Sequence, residues 1–486
     1  MSLLIALALF GPPLAGAAAA TISRRSIARA AWFNAATMPI CLGTASLLAF
    51  RVASGVTAIA VWPGASLDAL SALLMLLVGT VATLSSWMGP GLTTNGAAPP
   101  PETRAFRIYI NLFTATMLMA VTTPNLGLMW VAIESSTVAS VLLIPIGGSK
   151  ASIEASWKYL LIGSVGIALA LTGTVLALVD YTATGGSSQS ALTWTTLVAA
   201  APSLHPEVMR LAFVFFIVGF GTKAGLAPMH TWLPDAHSEA PAPLSAMMSG
   251  VMLAVALYAL ARWKAIVDLA AGSHFTDTLL LVVAMATMLV GSLSLATQQH
   301  YKRLLAYSSI EHTGLACFGL ALGPAGVAAA LLHLTGHALS KSVAFLLSGR
   351  VLERYRSHDI ARTPGVLVAM PATGALFAAS AIALAGLPPF GLFLSELLLI
   401  RAGWSAGHVV LTGVVLLLML MAFGSLVYQL QRMLLGAPPE GVTVGERAGW
   451  SSIILVAPLV ALVWLGVSMP AIFQSLLERA AAVLHP

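Results

Sequence analysis

The stretch KAGLAPMHTWLPDAHSEAPAPLSAM, residues 223–247, decides how this chain folds. It closes an apolar run that starts near residue 207, carries an amine at Lys223, and then meets Pro228 and Pro234. Proline has no backbone N–H and clashes with the preceding turn, so a helix running through this stretch must open. Opened backbone at membrane depth is tolerated only where protein buries it or where it lines a wet cavity. A second interruption, Ala385-Gly-Leu-Pro-Pro-Phe-Gly391, lies five residues before Glu396. Paired broken helices in the two halves of a chain point to an inverted-repeat transporter with ion sites near the bilayer midplane. Two unrelated proline kinks are the plainer alternative.

Composition sets the surroundings of these breaks. Of 486 residues, 58% are hydrophobic, and the mean hydropathy is +0.93. That places the chain among polytopic, all-α membrane proteins. Fourteen spans are predicted, near residues 1–20, 31–60, 66–88, 106–123, 125–147, 152–179, 207–226, 243–263, 276–297, 303–322, 325–349, 367–400, 408–432 and 451–475. No polar segment is long enough to fold with a core of its own. One membrane domain over 1–486 is therefore expected, with N-terminal helices in 1–100, a first repeat in 106–263, a second in 276–432 and a C-terminal helix in 451–475. Residues 1–20 lack the basic start of a signal peptide and read as a retained first helix.

The net charge of +6 does not indicate nucleic acid, because the basic residues are scattered through loops and form no run. Fourteen of them, including Arg24, Arg25, Lys150, Lys302, Arg303 and Arg447, follow odd-numbered spans; Arg51, Arg210, Arg262, Lys264, Arg401 and Arg479 lie on the other side. The positive-inside rule then places both termini outside, which is the periplasm for a bacterial inner membrane. Cys41 and Cys317 lie far apart in apolar helices, so neither a disulfide framework nor a thiolate-bound cluster is expected, and no cofactor is assigned to this chain.

Only 8% of the residues are charged, yet Glu134, Lys158, Lys223, Lys341 and Glu396 fall inside apolar runs. Each costs roughly 2.5–3.5 kcal/mol near a helix centre on insertion scales, so the fold must pair, hydrate or use them. Lys223 and Glu396 stand beside the two breaks. The proton affinity of a lysine in low dielectric depends on how near a carboxylate stands, so moving that carboxylate loads or releases a proton. A static buried ion pair is the competing reading. Glu134 and Lys158 sit on helices joined by a short connection around Lys150, which makes the helices antiparallel neighbours and allows the two side chains to meet. Lys158 is nearer its helix end, and snorkelling to the interface competes there.

His333, His337 and Lys341 are spaced i, i+4, i+8 on one helix face, over roughly 12 Å. Two imidazoles and an amine in file can pass protons through intervening water. A zinc site is set aside: no glutamate stands beside the first histidine, and Lys341 on the same face would repel the ion. His230, Asp235, His237 and Glu239 form an acidic, histidine-bearing loop, read as a mouth for protons, a docking surface or a proline-held solvated turn. His312 is placed at one end of a span, as relay or interface group. No phosphate loop, nucleotide fingerprint or catalytic triad is present in the sequence.

At these residues the chain resembles the antiporter-like proton-translocating subunits shared by respiratory complex I, multisubunit cation/proton antiporters and energy-converting hydrogenases. Residues 223–247, KRLLAYSSIEHTG (302–314), His333 to Gly349 and Ala385 to Glu396 carry the resemblance, which runs from about the third span to the thirteenth. The wording HSEAPAP, SSIEH and EASWKYLLIGSVGIALA is most similar to membrane subunits of hydrogenase-4-type complexes. The resemblance implies fourteen helices with two inverted five-helix repeats, each containing a broken helix. It implies Glu134 as a charge-switching carboxylate, Lys158 and Lys223 as its partner and the central proton carrier, His333, His337 and Lys341 as the connecting axis, and Glu396 as the terminal site. It also implies membrane partner subunits and peripheral subunits that carry the redox chemistry.

Two features depart from the pattern. Ala254 stands on the eighth span where quinone-reducing relatives often place a lysine, and the sequence stops soon after its fourteenth span without a long lateral helix. A secondary cation/proton antiporter without redox partners, a proton-channel partner of a soluble inorganic-carbon uptake subunit, and a scaffold that no longer pumps are the alternatives.

Overall fold

In the computed structural model, residues 2–23, 27–56, 59–62, 65–92, 102–187, 190–446 and 449–485 are described. Arg24, Arg25 and Arg447 of the loop-charge count lie outside them. The described chain is almost wholly helical, with one small antiparallel pair of strands, Ala60–Trp62 and Ala65–Ser66.

Three helices open the fold: α1 (Ser2–Ile22), α2 (Ile27–Ala53) and α3 (Ala69–Trp87). The next group is α4 (Thr103–Thr122), α5 (Leu126–Val141), α6 (Lys150–Ala183), the short α7 (Trp194–Ala200), α8 (Pro206–Ala224), α9 (Trp232–Glu239), α10 (Ala242–Met247) and α11 (Leu253–Ala271). A π-turn at Met248–Met252 joins α10 to α11, making one continuous span from 242 to 271. Then follow α12 (Ser273–Thr297), α13 (Tyr301–Leu320), α14 (Gly323–Tyr355), the single-turn α15 (Val366–Ala369), α16 (Pro371–Leu384), α17 (Gly391–Ser405) and α18 (Val409–Leu434). The last helices are α19 (Trp450–Val467) and α20 (Ala471–Val483).

Eleven helices among the described residues are long and apolar enough to cross a membrane unaided. The other three expected spans are α8 and α13, which carry charge, and the interrupted pair α16–α17, so each of the fourteen predicted spans has its helix. The order helix, helix, helix, broken helix, helix occurs twice, from α4 to α11 and again from α12 to α18. Five is odd, so the second run starts from the opposite face of the membrane and the two runs are inverted.

Burial separates the helices by role. The span from 242 to 271 and α14 are buried along their apolar length, whereas α1, α6, α18 and α19 leave most of theirs uncovered. A helix that is apolar on every side belongs either in a core or against lipid. Here the two central helices take the core, and the outer ones present leucine and valine, such as Leu161, Val165, Leu417 and Leu420, to the bilayer.

The N-terminal helices are fastened by a polar clamp. Arg107 on α4 is fully buried and makes no ion pair among the described residues. It donates from Nη1 to the Ser86 carbonyl at 2.8 Å, and from Nη2 to the Gly89 and Pro90 carbonyls at 3.0 and 2.8 Å. These carbonyls stand at and just past the C-terminus of α3, where helical oxygens have lost their intrahelical donors and the dipole favours a cation. Asn34 of α2 completes the clamp, donating to Asn111 Oδ1 at 2.9 Å and accepting from Ser86 Oγ at 3.0 Å. Replacing Arg107 by alanine strands several buried acceptors at about 1–3 kcal/mol each. Thermal unfolding of the purified Arg107→Ala protein should show a clear fall in melting temperature; an unchanged value would mean the clamp holds nothing.

Candidate functional site

The first break has a local cause. Gly225, at φ 74° in the left-handed region, ends α8, and the N–H of Leu226 turns back to the Gly221 carbonyl at 2.8 Å. The Thr222 carbonyl accepts from the Gly225 N–H at 3.2 Å and from the Trp232 indole at 2.8 Å, and the Ala227 N–H donates to Thr287 Oγ1 at 2.9 Å. The opened backbone is therefore satisfied inside the protein. Lys223 falls in the last turn of α8, where the helix dipole favours its positive charge.

Around Lys223 the fold gathers a network of hydroxyls. The buried ammonium donates to Thr137 Oγ1 and to the Tyr159 hydroxyl, both at 2.6 Å, and lies 4.6 Å from the centre of the Tyr159 ring. Thr137 also donates to Glu134 at 3.1 Å, Ser164 donates to the other oxygen of that carboxylate at 2.9 Å, and Tyr159 shares a 2.8 Å hydrogen bond with Ser140. Caps position these side chains: Asn125 accepts from the Leu128 N–H to start α5, and Ser149 accepts from the Ser152 N–H to start α6. Glu134 and Lys223 are thus joined through a single threonine hydroxyl.

Lys158 does not meet Glu134, contrary to the expectation from the short connection. Its side chain is 47% exposed and binds Glu154 at 2.7 Å and Asp235 at 3.1 Å. The physical reason is register: Lys158 lies two turns from the start of α6 and reaches the end of the molecule, whereas Ser164, farther along α6, reaches Glu134. Lys223 and Glu396 also do not pair; they occupy separate clusters.

The second break closes in the same way. Gly386, at φ 63°, ends α16, and the N–H of Leu387 turns back to the Ile382 carbonyl at 3.3 Å. The Glu396 carboxylate lies directly against its Cα, so a side chain there would strike the carboxylate. From α13, α14 and α17 the fold brings together Glu311, His312, His333, His337, Lys341, Ser395 and Glu396. Nδ1 of His312 and Nε2 of His333 are 3.1 Å apart, and Nδ1 of His333 is 3.0 Å from Ser395 Oγ. The ring of His337 lies 5.4 Å from that of His312, centre to centre. Lys341 donates to the Leu305 carbonyl at 2.7 Å and to Ser308 Oγ at 2.9 Å. A cavity of about 20 Å³, lined by Ser308, Glu311, His312 and Glu396 among others, is large enough for one water.

Several positions differ from the sequence reading. His312 is buried in the middle of α13, bonded to His333, and is not at a span end. Residues 232–239 form the helix α9 and not a loop, and only part of it is solvated: His237 is buried, stacks on Phe345 at 5.0 Å, and has neither ring nitrogen hydrogen-bonded among the described residues. Asp235 accepts from both Lys158 and Arg303, while His230 is only half-buried and Glu239 faces the Ser149 hydroxyl. Lys302, counted as a loop charge, is buried and caps the Ser238 and Ala240 carbonyls at 3.0 and 2.7 Å. Arg262 and Lys264, counted in the same way, are buried on α11 and paired with Asp68, and with Asp268 and Asp277.

Glu311 and Tyr159 were missed. Glu311 stands on the second helix of the second run as Glu134 stands on the second helix of the first, and both follow an isoleucine; aligning the runs would have found it. Ala254 is buried on α11, and one turn before it Ser249 pairs with Ser309 of α13 at 2.8 Å.

Comparison with known proteins agrees with this geometry. Residues 123–422 match the family described as NADH:quinone oxidoreductase/Mrp antiporter, TM. The hydrogenase-4 component F homolog of Methylacidiphilum infernorum is 38% identical over 344 residues, which cover 71% of this chain and 72% of that protein. The NADH-quinone oxidoreductase subunit N of Desulforudis audaxviator is 35% identical over 311 residues, 63% of this chain and 60% of that one. Among solved structures, a chain of an archaeal membrane-bound sulfane sulfur reductase superposes with a TM-score of 0.87 at 25% identity, covering 99% of this chain and 98% of that one. A chain of the Mrp complex from Dietzia sp. DQ12-45-1b has the same fold, with a TM-score of 0.85 at 24% identity over 100% of this chain and 98% of that one. The protein is an integral membrane protein, and it belongs to the NADH:quinone oxidoreductase/Mrp antiporter transmembrane family.

Proposed function

We propose that this chain is the proton-translocating membrane subunit of a redox-driven complex of the hydrogenase-4 or NADH:quinone oxidoreductase type. The observation that carries the reading is the setting of Lys223. Its ammonium is buried at a helix break, held by two neutral hydroxyls, with a carboxylate one hydroxyl away. A structural ion pair would place the carboxylate in direct contact; a group that must gain and lose a proton needs a partner whose approach can change. A change in the distance of Glu134 would bias Lys223 toward holding or releasing its proton.

The second cluster supplies acceptors and donors in sequence. Lys341, Ser308, Glu311, His312, His333 and Glu396 lie within reach of one another or of the small cavity. Further candidates to link the clusters are the buried imidazole of His237, with neither ring nitrogen hydrogen-bonded among the described residues, and the Ser249–Ser309 hydroxyl pair near Ala254, where a lysine is expected. In this reading Glu134 and Lys223 load and release, His333, His337 and Lys341 form the axis, and Glu396 ends it. His230, Asp235, His237 and His312 are relay or intake groups. Lys158, tied to Glu154 and Asp235 at the surface, tunes the mouth and is not a carrier.

The redox chemistry belongs to partner subunits, peripheral and membrane-embedded, and this chain holds no cofactor of its own. Its place is the bacterial inner membrane, with both termini in the periplasm. The antiporter reading differs in one measurable respect, a requirement for sodium.

Proton uptake into vesicles carrying the intact complex tests the assignment. Lys223→Ala and Glu396→Gln should each abolish it while the complex still assembles, and normal pumping in either variant would refute the role. Lys158→Ala should slow transfer by a few-fold only; loss as complete as in Lys223→Ala would return Lys158 to the pathway. Tyr159→Phe removes one of the two hydroxyls that solvate the ammonium. A hydrogen bond to a charged group contributes about 1.5–3 kcal/mol, so a drop of about tenfold or more in transfer rate is expected. Varying sodium at fixed pH should leave activity unchanged, and strict dependence on it would favour the antiporter.

A further inference from the structure

The relay groups of the second cluster also make a metal-ligand set that the helical spacing of His333 and His337 does not disclose. Nδ1 of His312 and Nε2 of His333 are 3.1 Å apart, and one ring nitrogen of each histidine and a carboxylate oxygen of Glu396 all lie within 4.8 Å of one another. Tetrahedral zinc with bonds of about 2.0–2.1 Å holds its ligand atoms roughly 3.3 Å apart, so small side-chain shifts close the set. Two imidazoles and one carboxylate form a known three-ligand zinc donor set, which keeps a fourth position for water.

Three further observations fit. Nδ1 of His333 is held by Ser395 Oγ at 3.0 Å, which fixes the ring as an outer-shell partner does in metal sites and turns Nε2 toward His312 Nδ1, in the hydrogen bond that an ion would replace. The cavity lined by His312, Glu311 and Glu396 has about 20 Å³, room for one water in the fourth position. Lys341, the charge that argues against zinc on α14 alone, is turned to the Leu305 carbonyl and Ser308. The donors come from three helices, two of them outside the histidine-bearing helix that a sequence search would test.

We infer that His312, His333 and Glu396 bind a zinc-class divalent cation, and that its occupancy blocks proton passage through the second half of the protein. The blocking part rests on the proton-relay reading; the binding part does not. Bound zinc takes the lone pairs that would otherwise receive protons, so the ion and the proton compete for the same atoms.

The test is equilibrium binding of Zn²⁺ to the intact complex in nanodiscs at fixed pH, with X-ray absorption of the zinc-loaded protein. One zinc per chain in a shell of two imidazole nitrogens and carboxylate oxygen is expected. His312→Gln and Glu396→Gln should each weaken binding by more than about tenfold. Ser395→Ala, which removes one hydroxyl, should weaken it about tenfold through the ring it orients. His274→Gln, at an exposed histidine on α12, should leave affinity unchanged. Absence of stoichiometric binding, or binding undiminished by the His312 and Glu396 changes, would overturn the site. Stoichiometric binding with undisturbed proton uptake would overturn the block. Failure of zinc binding beside normal wild-type pumping removes this inference alone, whereas normal pumping by Glu396→Gln removes the relay reading whatever zinc does.

Discussion

The structure depends on dissolving an ammonium ion inside a protein that is itself dissolved in lipid. Lys223 is fully buried, and the fold meets its charge with two hydroxyls, the negative end of α8 and an aromatic face. None of these is a full counter-charge. The carboxylate stands one threonine away, so the charge is stabilised enough to exist but not fixed as a permanent pair. The helix break that puts Lys223 at a C-terminus, the glycine that ends it and the tryptophan that donates to the Thr222 carbonyl all serve this arrangement.

The same problem recurs on the other side of the molecule with a different answer. At the second break the ionisable group is a carboxyl, and the neighbours of Glu396 are histidines, a second carboxyl group and a water-sized cavity. Histidine can give or take a proton at either nitrogen, so in the proposed function this cluster would supply continuity where the first supplies a single amine. Of the two buried spans, α14 itself carries His333, His337 and Lys341, and 242–271 carries the Ser249 that pairs with Ser309. Buried charges elsewhere are handled statically: Arg107 by helix-end carbonyls, and Arg262 and Lys264 by aspartates. The contrast within one chain is between buried charges met directly by carboxylates or helix-end carbonyls and Lys223, whose carboxylate stands one hydroxyl away.

Much of this was legible from residue order. Proline and glycine interruptions beside Lys223 and Glu396 marked the breaks, because no other pattern removes a backbone donor inside an apolar run. The stacking of His333, His337 and Lys341 followed from helical spacing. What failed was inference across helices. Glu134 and Lys158 were joined because their helices are adjacent, but adjacency does not set depth, and Ser164 reaches the carboxylate instead. Lys302 read as a loop charge because it starts a span, yet it caps the open end of α9 from within the core. Glu311 was hidden, and His312 was named but set at a span end, because a stretch such as SSIEH looks like an interface segment when its burial is unknown.

The sequence by itself determined that the chain crosses a membrane, how many spans it has, where two of them open, and which ionisable groups lie between, since each follows from local hydropathy, helix period and proline chemistry. Only the tertiary structure decided which of those groups face one another. Contacts between helices depend on rotation and depth, which are fixed by packing along whole helix faces, and no local run of residues encodes them.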